Sequence, residues 1–399
     1  MYLTEINQAI ESVRRLGWLG AAYWKRIKKT SKEFWRKHDM QRKLLGCATA
    51  IWALSLIATS VSAADLKQIG KLEIPGEPLN GFDITYVDQA TNLYYLADRS
   101  NKSVDVFDVT SGKMVDRLPG GFVGQLKSSS VSGPNGVVVA GGDLWAGDGD
   151  STVKVIDLKT KKVTDTLSTG GKARVDEMAY DPDAHVVIVG NNADEPPFLT
   201  LFSTEAGHKV VSKIVFEDAT DGVEQPIYDA VTKKFYVSVP ELKKDKAKGA
   251  VAVIDPSSGK LEKLMPVDDC HPNGLVKGPG ANLLLGCDAG SKDGGLKPVL
   301  VVMKTDGSVV KVIPGLGAAD MVAYNPKVNQ YYSASRNMPG APELGVIDAK
   351  SNTLVQRIKL PGGTPHSVAV SEKNNHVFVP LGAKGGGCDG CVAVFEPGN

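Results

Sequence analysis

From residue 83 onward the apolar positions fall in short runs with a period of two, separated by polar turns. Residues 104–108 read Val-Asp-Val-Phe-Asp, 153–157 read Val-Lys-Val-Ile-Asp and 251–255 read Val-Ala-Val-Ile-Asp. Alternating β-branched and aromatic residues suit a pleated, half-buried surface, and Gly, Asn and Asp between them supply turns. The stretch 364–396 holds three such runs, at 367–370, 376–379 and 392–395. That leaves the last unit one strand short of those upstream.

The units begin at Asp83, Asn135, Asp176, Glu224, Asn273, Asp320 and His366, every 41 to 52 residues. A repeat of that length with four strands per unit predicts an all-β fold: a seven-bladed β-propeller of four-stranded antiparallel blades. No single copy can bury both faces of its sheet, so the copies must stack round an axis. Residues 66–74 read as an outer strand without a repeat of its own. They end in Ile74-Pro75-Gly76, as other outer strands end in Leu118-Pro119-Gly120, Ile313-Pro314-Gly315 and Leu360-Pro361-Gly362. This N-terminal strand is expected to pair with 392–395 and close the ring, hiding edges that would invite aggregation.

Three regions follow: a basic N-terminal extension at 1–39, a signal peptide at 40–63 and the propeller at 64–399. The extension carries Trp18, Trp24, Trp35 and a run of Arg and Lys. It reads as an amphipathic membrane-surface helix or a cytoplasmic arm, or as a mis-assigned start. The last is favoured, because the secretory signal is complete without it. Arg42 and Lys43 form a basic segment, 44–58 is apolar, and Val61-Ser62-Ala63 precedes a cleavage point at Ala64. Leu44-Leu45-Gly46-Cys47 resembles a lipoprotein box but stands too close to Lys43 to leave an apolar core before it. The mature protein is therefore expected in the periplasm or outside the cell, as a monomer.

Removal of 1–63 takes about 11 of the 46 basic and 4 of the 45 acidic residues, leaving a net charge near −6. A mildly acidic chain argues against nucleic acid and anionic membranes as partners. No later apolar run is long enough to span a bilayer. The expected partner is a small molecule or an exported protein.

Export makes the cysteines readable. Cys270 precedes the first strand of its repeat and Cys287 follows the second, so antiparallel pairing brings them together and a disulfide is expected. Cys388 and Cys391 form a CxxC, readable as a redox pair or half a metal site. With no βαβ context, a local disulfide stiffening the Gly-rich loop is favoured. Val392 stands where a haem-attachment motif needs His, so no haem is expected; there is no Walker loop and hence no nucleotide site. Gly147-Asp148-Gly149-Asp150-Ser151 lacks the later Glu of a calcium loop and reads as a hairpin turn.

Candidate chemistry lies where the repeats converge. The ring Asp83, Asn135, Asp176, Glu224, Asn273, Asp320 and His366 is wholly polar, and four members are carboxylates. Crowded carboxylates repel, and Ca2+ takes oxygen ligands from Asp, Glu and Asn. The metal candidates are Asp83, Asn135, Asp176, Glu224, Asn273 and Asp320; the alternative is a hydrated polar channel. Glu177, Asp268, Asp269, His271, Arg174 and Arg336 are expected near the same mouth. His271 and His366 are the candidate general bases. Loops at 191–197, 241–249, 289–297, 336–343 and 381–390 are long and expected on that face, as a recognition rim.

The units V-x-V-[IF]-D-x-x-[ST]-[GK]-K and [PG]-[NH]-x-V-x-V resemble the bacterial YncE-like, YVTN-repeat propellers, which are WD40-like in repeat length. The resemblance spans nearly all of 65–399 and implies an exported propeller without specifying an activity. More distantly the chain resembles gluconolactonase-like propellers, whose channel calcium is held by Glu, Asn, Asn and Asp. That likeness points to Asn135, Glu224, Asn273 and Asp320. Two functions are thus expected in order: non-enzymatic binding on the loop-rich channel face, then a calcium-dependent, lactonase-like hydrolase at the channel mouth.

Overall fold

The computed structural model describes residues 65–288, 296–384 and 388–398. The compact unit that holds them spans Ala63–Asn399. The expected extension and signal peptide lie outside the described residues.

Seven four-stranded antiparallel sheets form the ring. Blade 1 runs from its inner to its outer strand as Phe82–Asp88, Leu93–Asp98, Ser103–Asp108 and Met114–Pro119. The inner strands of blades 2 to 7 are Val137–Ala140, Met178–Asp181, Pro226–Asp229, His271–Lys277, Val322–Asn325 and Ala369–Val370. Each inner strand touches that of the next blade, from blade 1 round to blade 7 and back to blade 1. Among the described residues no helix is long and apolar enough to cross a membrane.

The repeated V-x-V-[IF]-D motif has a local cause. Its Asp ends the third strand and folds back onto the turn. Asp108 Oδ1 accepts hydrogen bonds from Thr110 N at 3.1 Å and Ser111 N at 2.7 Å. Asp348 Oδ1 accepts from Ser351 N at 2.7 Å in the same way. Such side-chain turns satisfy amide donors that a hairpin leaves open. Gly112 completes the first turn at φ +67°, a region glycine enters without penalty.

Seven apolar clusters fill the seven interfaces between neighbouring blades. Closure of the ring is as expected. Leu66–Glu73 pairs antiparallel with Cys391–Pro397, from Leu66 opposite Pro397 to Glu73 opposite Cys391. Leu66 and Leu72 are six residues apart and in a regular strand would face one side. The register slips between Gln68 and Gly70, a one-residue bulge that reverses the parity. Leu66 therefore packs in the core between blades 6 and 7, and Leu72 in the core between blades 7 and 1. Burying both stabilises closure by roughly 3–6 kcal/mol. Gln356 on the outer strand of blade 6 adds a clasp: its side chain accepts from Leu66 N at 2.7 Å and donates to Leu66 O at 3.0 Å.

The structure joins Cys270 to Cys287 and Cys388 to Cys391. The first bridge is buried in the core between blades 4 and 5. The 147–151 segment is the tight turn expected, between Asp143–Gly147 and Thr152–Asp157, with Ser151 at φ +65°.

Deleting residues 65–75 should strip the outer strand from blade 7 and bare apolar surface on two interfaces. The expected outcome is aggregation, or a fall in melting temperature measured by calorimetry. A monomeric deletion product melting with the full chain would show that the ring does not depend on this strand.

Candidate functional site

The inner strands start irregularly. In blades 2, 3 and 4 one residue of the second strand bonds two consecutive residues ahead of the first. Asn135 N donates to Gly147 O, and Gly147 N donates to Gly136 O. The same exchange joins Asp176 and Glu177 to Gly190, and Glu224 and Gln225 to Ser238. In blades 1 and 5 the register slips around Asp83 and Asn273. These one-residue bulges bend the strand and re-aim its side chains. They coincide with the ring positions.

The outcome is a polar funnel of about 330 Å³ whose lining includes Asp83, Asp176, Glu224, Asn273, Asp320 and His366. Six of the seven expected ring residues meet there, joined by Glu177, Arg99, Arg174 and Arg336. Asn135 is fully buried behind the wall. It accepts from Arg99 Nε at 2.9 Å and donates to Val175 O at 3.1 Å, so it positions Arg99 and ties blade 2 to the approach to blade 3. One step along the inner strands, Gln225 Oε1 accepts from Leu275 N at 2.7 Å and Val322 N at 3.3 Å, linking blades 4, 5 and 6. Thr85 and Ser367 join blades 1 and 7 through hydroxyls 3.0 Å apart.

Three expected neighbours lie elsewhere. His271 is absent from the funnel lining; its Nε2 lies 2.6 Å from Lys246 O, beside the 241–249 loop. Asp268 and Asp269 line a separate groove of about 650 Å³ with Pro266, Val301 and Val312. Lys260–Asp268 is the outer strand of blade 4. The chain there is still at the rim and has not yet crossed to the axis. His366 does reach the funnel. Its Nε2 is 3.3 Å from Asp83 Oδ1, its Nδ1 is 2.7 Å from Thr364 O, and its ring stacks on Phe82 at 4.6 Å.

Arginines supply much of the counter-charge for which a cation was expected. Arg99 and Arg336 each follow the second strand of their blade, and each pairs with the ring aspartate of that blade, Asp83 and Asp320. Arg174 Nε bonds Asp176 Oδ2 at 2.7 Å. Arg99 was invisible to sequence reasoning because it sits in a short loop like any other. Burial pushes the Asp83 carboxyl up, but Arg99, His366 and Arg174 outweigh it and hold the group well below the usual range. Burial raises Asp176 to about 6 despite Arg174. Burial and neighbouring carboxylates push Glu177 and Glu224 well above the usual range. Arg174 also acts on Glu224 through its charge, without offsetting the burial. Glu224 Oε1 accepts from Asn192 Nδ2 at 3.1 Å. Glu177 Oε2 and Asn273 Oδ1 have no hydrogen-bond partner among the described residues.

The funnel opens sideways. Arg174 and Glu224 also line a cleft of about 640 Å³ bounded by Asn192, Glu195, Glu217 and Lys243. It uses two of the expected long loops, 191–197 and 241–249. Among the described residues no three His, Cys, Asp or Glu side chains are grouped closely enough to hold a metal ion.

No protein-family model and no curated protein sequence matches the chain. Among solved structures it is similar to a chain of the mitotic checkpoint complex, at 13% identity and a TM-score of 0.62. The match covers 84% of this chain and 93% of that one. It shows a propeller architecture and nothing finer.

A carboxyl whose pKa is raised by folding holds its proton more tightly in the folded state than in the unfolded chain. Its contribution is then most favourable below the unfolded value, about 4.3 for Glu, and declines as pH rises toward the folded value. Glu177→Gln and Glu224→Gln should remove that cost. Each is expected to raise the melting temperature at pH 7 by on the order of 1–3 °C, with the gain vanishing near pH 4. A lower melting temperature for Glu177→Gln at pH 7 would refute the burial account.

Proposed function

We propose that this chain is an exported, YncE-like binding propeller whose ligand site is the central funnel with the cleft between blades 3 and 4. One observation carries the reading. Glu177 and Asn273 line a cavity of charged groups of both signs, and each keeps a buried oxygen without a hydrogen-bond partner among the described residues. Buried polar atoms are normally satisfied, and each that is not costs about 1–3 kcal/mol. The unpartnered oxygens and the built arginine–carboxylate frame favour a ligand with directed polar groups. The repeat motif and the signal-like 40–63 support the family and export. Fold alone names no activity, so the assignment rests on this site.

The test is enrichment. Folded protein is incubated with a small-molecule extract, washed, denatured and the released compounds identified by mass spectrometry. A compound retained by the natural chain and lost by Asp83→Asn with Asp320→Asn supports the funnel as the site. Retention unchanged by those substitutions would move it elsewhere.

The calcium-dependent hydrolase is a second reading, favoured by His366 beside Asp83 in the funnel. The ion would draw on Asp83, Asp176, Glu224, Asp320 and Asn273, and His366 would activate water; Asn135, buried behind the wall, has no place in it. His271 has no place in it either. Ca2+ at a hundredfold excess over its dissociation constant should then stabilise the fold by about 2.7 kcal/mol. Calcium titration with melting as the readout decides: no shift removes this reading.

A further inference from the structure

The funnel has two halves. On the side of blades 7, 1 and 2, Asp83 is held by Arg99 and His366, and Asn135 braces Arg99. On the side of blades 3 to 5, Glu177, Glu224 and Asn273 line the same cavity, and Arg174, paired with Asp176, also acts on Glu224 through its charge. Glu177 is 3% exposed and Asn273 8%; both line the funnel, and Glu177 Oε2 and Asn273 Oδ1 have no hydrogen-bond partner among the described residues. An amide oxygen accepts only, and a carboxyl accepts fully once its proton is lost, so a cationic donor would complete Asn273 and take the place of the protons that burial favours on Glu177 and Glu224.

We propose that Glu177, Glu224 and Asn273 recognise the ammonium or guanidinium group of an organic cation whose polar remainder lies in the cleft between blades 3 and 4. The proposal rests on the funnel being the ligand site, as argued above, and names the ligand class.

Size and geometry favour an organic cation over a bare ion. A cavity of about 330 Å³ has the volume of roughly ten waters. A divalent ion needs six to eight oxygens near 2.4 Å, whereas the carboxylates here are not gathered into such a group. An ammonium offers three donors and a guanidinium five, and either spans acceptors spread across the wall. The cleft gives direction. Glu224 lines both spaces, so a cation beside it leaves its carrier in line with the opening. The cleft wall carries Asn192, Thr220 and Lys243, which suits a polar carrier rather than an alkyl one.

The experiment is calorimetric titration of the full chain with agmatine, lysinamide, 1,4-butanediol, glucuronate, a sugar lactone and calcium chloride. Agmatine or lysinamide should bind saturably, and butanediol should not. Glu177→Gln and Glu224→Gln should each weaken that binding at least tenfold, with unchanged circular dichroism and, from their relieved burial, no loss of melting temperature. Cation binding untouched by either substitution overturns the proposal. So does binding of glucuronate or the lactone alone, sensitive to Arg174→Gln; the funnel then remains a ligand site of another class. Calcium binding alone overturns it in favour of an ion site. No binding by any probe overturns it too, and the extract experiment then decides whether the funnel is a ligand site at all.

Discussion

The antiparallel pairing of Leu66–Glu73 with Cys391–Pro397 is the constraint on which the other blades depend. Each blade buries its two faces only against neighbours, so the apolar cores are shared between sheets rather than owned by one. A chain laid out in order would leave two open faces at its ends. Supplying the outer strand of the last blade from the chain's start converts those faces into a seventh interface. The bulge between Gln68 and Gly70 is what lets one short strand serve both sides, by turning Leu66 toward blade 6 and Leu72 toward blade 1.

A closed ring has a mechanical consequence at its axis. Seven inner strands converge and cannot move apart without breaking an interface, so side chains at their starts are held at short range whatever their charge. Six carboxyl-bearing or amide residues of the funnel are buried or half-buried in this way. Arg99, Arg174 and Arg336 offset part of the charge through close pairs with Asp83, Asp176 and Asp320. The remainder falls on Glu177 and Glu224, whose raised proton affinity is the electrostatic expression of that confinement.

The blade was legible because its signals are local. Alternation, the V-x-V-[IF]-D turn and the Pro-Gly endings each act within a few residues, and their recurrence gave the blade number and the closing strand. The ring was legible for the same reason: one polar residue recurs at the head of each unit. What escaped were relations across the ring. Nothing in Arg99 itself says that it will meet Asp83 and Asn135. His271 opens the inner strand of blade 5 two residues before a ring position, yet its ring lies against the 241–249 loop. Glu177 was placed near the mouth, but its lack of a hydrogen-bond partner among the described residues is a relation to the rest of the ring, not readable from spacing.

The sevenfold repeat is also why single residues can decide what this propeller does. The blades supply nearly equivalent backbone positions round one axis, so the funnel's chemistry is set by which side chain each blade places ahead of its inner strand and which follows its second strand. After that strand, blades 1 and 6 place Arg99 and Arg336, and each neutralises its own aspartate. Blade 3 places Asn192 at the same point, and its amide reaches across to Glu224 of the next blade without cancelling its charge. Glu224 lines both the funnel and the cleft, as does Arg174. A symmetric scaffold thereby acquires a polarity: Asp83 and Asp320 are each neutralised within their own blade, whereas Asp176 and Glu224 share the charge of Arg174 beside the cleft.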